Sequence, residues 1–390
     1  MTAYDYLICG SGIAGASMAY ELAPHGRVLV AEQEERHAYH TTGRSAAMYI
    51  ESYGNASVRM LTAASRAFFD SPVEGFADYP LLSPRGCLNI ANEGQLAALD
   101  ALAEEIGATR AEFREIGGDE ARTMVPVLRQ EAVARAVFEP NACDIDANGL
   151  HAGFLRMARA RGAEFRLNAR VERIDRVASG WRVGLAGGDT VEARIIVNAA
   201  GAWCDRVAAL AGAAPLGLAP KRRTAILIDP PTDVLIAGWP TVIDVNEQFY
   251  FKPEAGRLLA SPADETPSEP VDAAPEEFDV ALCVDRIQTA AYLPVRRVVR
   301  AWAGLRTFAP DRTPVFGYDP TVPGFFWFGG QGGYGMQTAP AAARMGGALA
   351  RGLGVPADLA DRGLKAKAFS PARFEAGAVS PTATRLGLAQ

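Results

Sequence analysis

The chain has 390 residues, of which 49% are hydrophobic and 22% charged, the values of an ordinary globular protein with room for two substantial domains. Its net charge of -6 gives no basic footprint for nucleic acid, and no uninterrupted apolar run of about 18 residues marks a membrane-spanning helix. Five scattered cysteines (Cys9, Cys87, Cys143, Cys204 and Cys283) and only four histidines argue against a metal centre. Reduced thiols and the absence of a basic-then-apolar leader at MTAYDYLICGSG give the expectation of a cytoplasmic protein.

In chain order, YLIC reads as a strand ended by Gly10, Ala14 to Leu22 as a helix closed by Gly26, and RVLVAE as a second strand. Together they form a βαβ unit, which implies a parallel sheet. A Thr/Ser/Gly loop, HTTGRSAA, follows. Residues 94–106, 118–130 and 150–162 read as helices, the last closed by Gly162. From 164 the pattern changes to a strand meander, and then to the apolar strand RIIVNAA. Residues 221–310 alternate as strands, notably KRRTAILID, EQFYFKP and GRLLAS, and the acidic, proline-rich 262–278 reads as a solvated surface loop. The tail beyond Pro371 has little periodicity, so loose order is expected there. This order of elements predicts an α/β fold, a doubly wound dinucleotide-binding domain interwoven with a mixed-sheet α+β substrate domain.

Gly10, Gly12 and Gly15 form G-x-G-x-x-G between a strand and a helix. The first glycine permits the turn, the second lets backbone approach a pyrophosphate, and the third allows close helix packing, while the helix N-terminus faces the negative charge. Glu32 ends the next strand, seventeen residues past Gly15, placed to accept ribose hydroxyls. The acidic residue favours FAD or NAD over NADP. Three further glycine-rich stretches, HTTGRSAA, VNAAGAWCD and GGQGGYGMQT, favour the flavin.

The words GSGIAGAS, YHTTGRSAA, LTAASRAFFD, PLLSPR, VPVLR, DIDANGLH, NAAGAWCD, LGLAPKRR, FYFKP, AWAGLRTF and FFWFGGQGGYGMQT span most of the chain. Through them it resembles the FAD-dependent D-amino-acid oxidase superfamily, in its glycine/sarcosine oxidase-like branch, with bacterial D-arginine dehydrogenases the nearest likeness. The resemblance implies a discontinuous FAD-binding domain (1–47, 141–220 and 311–375), a substrate domain (48–140 and 221–310) and a tail at 376–390. It also implies that a hydride passes from an amino acid's Cα to flavin N5, and that water then hydrolyses the imine to a 2-oxo acid and ammonia. The cofactor carries the hard chemistry and the protein orients and polarises.

Carried over by motif, the FAD contacts are Gly10, Gly12, Ile13, Gly15, Glu32, Thr42, Gly43, Arg44, Ser45 and Ala46, then Val171, Ala200, Gly201 and Gly304. Gly330, Gly332, Gly333, Tyr334, Gly335, Met336 and Gln337 complete the set, with a helix beginning near Tyr334 that aims its positive end at the flavin. Arg306, Tyr250 and Arg222 are the expected substrate-carboxylate partners, Tyr53 a lid tyrosine, and Gly333 a backbone contact to substrate or ring. His40 has the spacing of histidines that bind flavin covalently in some relatives; non-covalent FAD with a hydrogen-bonded His40 is expected here. Where D-arginine dehydrogenases carry a guanidinium-binding glutamate after PLLSPR, this chain has Gly86 and Cys87, and Met48 replaces a lid histidine. Losing that carboxylate predicts a dehydrogenase favouring neutral or apolar over cationic D-amino acids, with Glu51 a partial substitute. A secondary-amine oxidase, a 2-hydroxy-acid dehydrogenase and a non-catalytic redox sensor are the alternatives. The electron acceptor is not readable.

Overall fold

The computed structural model describes residues 3–109, 111–232 and 234–374. Two sheets organise it. The first has eight strands, and its parallel heart runs Glu164–Arg166, Val28–Ala31, Ala3–Cys9, Thr190–Asn198 and Phe325–Gly329. Helix Ile13–Leu22 leaves the first strand through Gly10, whose φ of +95° suits glycine and whose added Cβ would lie 2.8 Å from the Ala199 carbonyl oxygen. Leu7, Ile8, Leu29, Val30, Ile196 and Val197 are fully buried, as expected of parallel strands covered on both faces. Hairpin strands Val171–Val177 and Gly180–Leu185 extend the sheet antiparallel at one side.

The second sheet has nine strands, antiparallel apart from the parallel pair Cys87–Ala91 and Thr241–Asp244. Its longest pairing joins Ala219–Ile228 to Val298–Phe308, with Lys221 opposite Arg306 and Arg223 opposite Gly304. Side chains alternate across a strand, so this register puts Lys221, Arg223, Gly304 and Arg306 on one face and Arg222 on the other. A small third sheet (Met48–Tyr49, Leu82–Pro84 and Cys143–Ile145) lies where the chain crosses between the two.

Several elements differ from expectation. The helix expected over 118–130 is Gly118–Met124, because Val125 precedes Pro126 and is pushed out of the helical region. Glu277–Ala290 is a helix within the stretch read as strands, burying Cys283, Ile287 and Ala290 at helical spacing. Segment 262–278 is a largely exposed loop, as expected, but three of its acids are engaged: Asp264 accepts from the Thr224 amide, Asp272 pairs with Arg44, and Glu265 is held by arginines and a lysine. Residues 371–374 form a turn that Arg373 ties to Asp311, while the expected tail at 376–390 lies outside the described residues.

Candidate active site

A cavity of about 870 Å³ runs between the two large sheets. At one end Gly10, Gly12 and Ile13 face Ala200, Gly201 and Val171. Thr42 closes this cradle from above: its Oγ1 accepts the Ile13 amide at 3.0 Å and would lie 3.1 Å from a Cβ on Gly12. Glu32 is buried at the same end, with Oε2 taking the Ser11 amide and hydroxyl and Oε1 the Glu34 amide.

Behind Glu32 stands a relay that sequence reasoning missed. Arg159 can only donate, so it fixes His37 Nε2 as acceptor at 2.8 Å and leaves Nδ1–H to donate to Ser11 Oγ at 2.8 Å. Burial, reinforced by the Arg159 charge, holds the His37 imidazole below its ordinary value, in keeping with the neutral tautomer the geometry requires.

The loop over the cradle is fastened to the second sheet. Thr41 Oγ1 donates to the Leu305 carbonyl at 2.6 Å, and Arg44 Nη1 donates to the carbonyls of Ala273 and Ala303. Trp302 Nε1 returns a bond to the Arg44 carbonyl at 3.0 Å. His40 lines the cavity with its ring 4.6 Å from Trp203 and its Nε2 2.9 Å from Glu34, while Nδ1 is buried without a hydrogen-bond partner among the described residues, 4.0 Å from Asp272.

At the other end Arg306, only 8% exposed, donates through Nη2 to the Tyr53 hydroxyl. Tyr53 meets Tyr334 edge-on at 5.1 Å, and Tyr250 lines the opposite wall. Nη1 of Arg306 and Nη2 of Arg223 are buried without hydrogen-bond partners among the described residues. Glu265 Oε1 stands 3.8 and 3.6 Å from those two nitrogens, while the carboxylate binds Arg312 at 2.8 and 2.9 Å and Lys221 at 2.9 Å. Burial opposes its ionisation, yet the bonds from Arg312 and Lys221 prevail and bring its carboxyl down to about 2. Four cations thus share one carboxylate, and the surplus positive charge faces the cavity.

Of the expected site residues, Gly10, Gly12, Ile13, Glu32, Thr42, Arg44, Ser45, Ala46, Val171, Ala200, Gly201 and Gly304 line this cavity. So do Gly332 through Gln337, with Tyr53, Tyr250 and Arg306. Arg222 does not: it points to the far face, bound to Glu276 and to Asp279 at 2.8 Å, and Arg223 takes the cavity position. Gly15, Gly43 and Gly330 also lie off the cavity wall. An added Cβ would meet the Gly10 carbonyl oxygen at 1.9 Å from Gly15 and the Ala38 carbonyl oxygen at 2.3 Å from Gly43, while Gly330 makes a turn at φ +70°. Their smallness serves backbone packing. Gly86 and Cys87 leave no side chain on the wall, and Glu51 is bound to the Tyr49 hydroxyl.

The family model for FAD dependent oxidoreductases (DAO) matches residues 5–349. The chain belongs to this FAD-dependent oxidoreductase family. Among its curated relatives, glycine oxidase of Geobacillus kaustophilus is 24% identical over 357 residues, covering 86% of this chain and 90% of that protein. L-2-hydroxyglutarate dehydrogenase of Escherichia coli is 25% identical over 222 residues, 54% of this chain and 51% of that protein. In fold, the crystal structure of the Geobacillus glycine oxidase superposes with a TM-score of 0.81 at 24% identity, covering 93% of this chain and 98% of that one. L-proline dehydrogenase from P. horikoshii gives 0.81 at 20% identity, covering 96% and 99%. The cradle fits the family's cofactor: the glycines admit a pyrophosphate, and the N-terminus of helix Gly335–Ala350 opens onto the same cavity. Among the described residues no cluster of His, Cys, Asp and Glu is arranged to hold a metal, and no helix is long and apolar enough to cross a membrane.

Proposed function

We propose that this FAD-dependent oxidoreductase oxidises the Cα–N bond of a D-amino acid to an imine, which water converts to a 2-oxo acid and ammonia. The supporting observation is the pair of buried guanidinium groups, Arg223 and Arg306, each with a nitrogen unmatched beside the flavin cradle. Such a pair suits a carboxylate, since charge-assisted bonds from arginine are strong and directional. Tyr250 and Tyr53 contribute phenol groups to the same anion, and this clamp orients Cα. Gly10, Gly12, Ile13, Thr42 and Glu32 would hold FAD, which would supply the hydride acceptor.

The chain's own contribution is binding, orientation and field. The positive surplus of Lys221, Arg223, Arg306 and Arg312 over Glu265 disfavours a protonated substrate amine, so the amine reaches the site with its lone pair free. No strong base at Cα is then required. Tyr53 and Tyr334 cover the clamp and limit water. The reading includes non-covalent FAD, with His40 held by Glu34, and the division into a cofactor domain (1–47, 141–220 and 311–375) and a substrate domain (48–140 and 221–310).

Two carboxylates that line the cavity, Glu105 and Asp244, are already engaged, which supports neutral over cationic side chains. Glu105 pairs with Arg59, and Asp244 takes Gln95 and the amides of Asn246 and Gln248. Anaerobic mixing of the holoprotein with D- and L-amino acids, N-methylglycine and 2-hydroxy acids tests the assignment. D-amino acids should bleach the flavin, and bleaching by 2-hydroxy acids alone would overturn it. Admitting air afterwards separates oxidase from dehydrogenase.

A further inference from the structure

Beyond the arginines the cavity wall is an apolar collar of Met48, Ile50 and Ile243 with two polar side chains set in it, Ser52 and Asn89. Both lean on Glu139, a carboxylate only 2% exposed on the strand next to Asn89. Ser52 donates to it through its hydroxyl at 2.5 Å and its amide at 3.4 Å, and Asn89 Nδ2 approaches at 3.5 Å. Glu139 sits opposite Cys87 across the strand pair. It touches no cavity surface; burial raises its carboxyl, while the two bonds from Ser52 favour the ionised form.

The polarity of these bonds decides what the wall offers. A carboxylate can only accept, so it consumes the Ser52 proton and draws the amino end of the Asn89 amide toward itself. What remains for the cavity is the lone pairs of Ser52 Oγ and the carbonyl oxygen of Asn89, which accepts no hydrogen bond from the described residues. Both are acceptors. An apolar group there leaves them dry and unmatched, and an acceptor-only group meets them lone pair to lone pair.

We propose that this wall selects substrates whose side chain carries a neutral hydrogen-bond donor, a hydroxyl or a carboxamide, because Glu139 fixes Ser52 and Asn89 as acceptors. Glu139 is a positioning residue that acts through those two. The inference rests on the amino-acid reading above and refines its substrate class from neutral side chains in general to donor-bearing ones.

Three D-amino acids of matched heavy-atom count test it on the intact holoprotein: D-homoserine (donor), D-norvaline (apolar) and O-methyl-D-serine (acceptor only). The expected order of kcat/KM is homoserine, norvaline, O-methylserine, with about a three- to tenfold step from the first to the second, the size of one neutral hydrogen bond. Glu139→Gln keeps the shape but supplies a donor of its own, which releases the Ser52 proton toward the cavity. The homoserine-to-norvaline ratio should then fall toward one and O-methylserine should gain. A merely structural role lowers all three together and preserves the ratio, which would overturn the proposal. If Glu139→Gln loses flavin, Asn89→Ala is the second variant, and an undiminished homoserine preference there overturns the proposal equally. Flavin reduction by all three at equal kcat/KM leaves the amino-acid activity standing and removes the selection; no reduction by any D-amino acid removes both.

Discussion

At Gly333 a single added carbon would sit 1.7 Å from Nη2 of Arg306, so the glycine is the floor on which the clamp rests. Gly333→Ala should therefore push the guanidinium aside. We expect KM to rise at least about tenfold with flavin retained, since a charge-assisted hydrogen bond is worth about 1.5–3 kcal/mol. A titration of the holoprotein with benzoate, followed in the flavin spectrum, checks it; unchanged affinity would refute the packing argument. The neighbouring pair Arg222 and Arg223 gives a second contrast. Arg223→Met should lower kcat/KM by about ten- to a hundredfold, whereas Arg222→Met should lower thermal stability and leave KM in place. The sequence run KRR could not separate these two, because a shift of one residue moves a side chain to the other face of its strand. The place of Arg306 on the cavity wall was readable from the apolar word before it; that of Arg223 was not, because it lies in its register with Gly304.

Among elements, the segment from 262 to 278 shows where composition misleads. Its acids look solvated in one dimension, yet Asp264, Glu265 and Asp272 each answer a group more than 25 residues away. Glu265 has the largest consequence. Its carboxyl lies near 4.5 when free and about 2 here, so the folded state gains stability above the free value and loses it as pH falls from 4.5 through 2. Acid titration followed by circular dichroism should show that loss, and Glu265→Gln should flatten the slope in this window. The same variant leaves its cations short of a counter-charge and should cost about 1–3 kcal/mol at neutral pH. The strand, turn and helix at 3–22, by contrast, were legible residue by residue, because the phosphate turn is built from local chemistry that glycine spacing records directly.

For the molecule as a whole, the cavity occupies the seam between the two large sheets, so cofactor and fold are linked. FAD at about a thousand times its dissociation constant adds about 4 kcal/mol to the stability of the folded chain. Removing it should lower Tm and broaden the transition, with both effects reversed by adding FAD, as read by calorimetry. A single sharp transition at the same temperature in the apoprotein would contradict this linkage. The division into two interwoven halves followed from the order of elements, but the fastening between them did not, since Thr41, Arg44 and Trp302 meet only through tertiary contact.

Thr41 to Leu305 and Arg44 to Ala303 tie the loop over the cradle to the second sheet, so a shift of that sheet is felt directly at the cofactor end of the cavity. Close by, Gly54 takes φ of +89°, and an added Cβ there would lie 2.8 Å from Val58 and 3.0 Å from the Tyr334 ring. A side chain at that position would crowd the Tyr334 ring on the cavity wall, so the bareness of Gly54 keeps room above the arginine clamp.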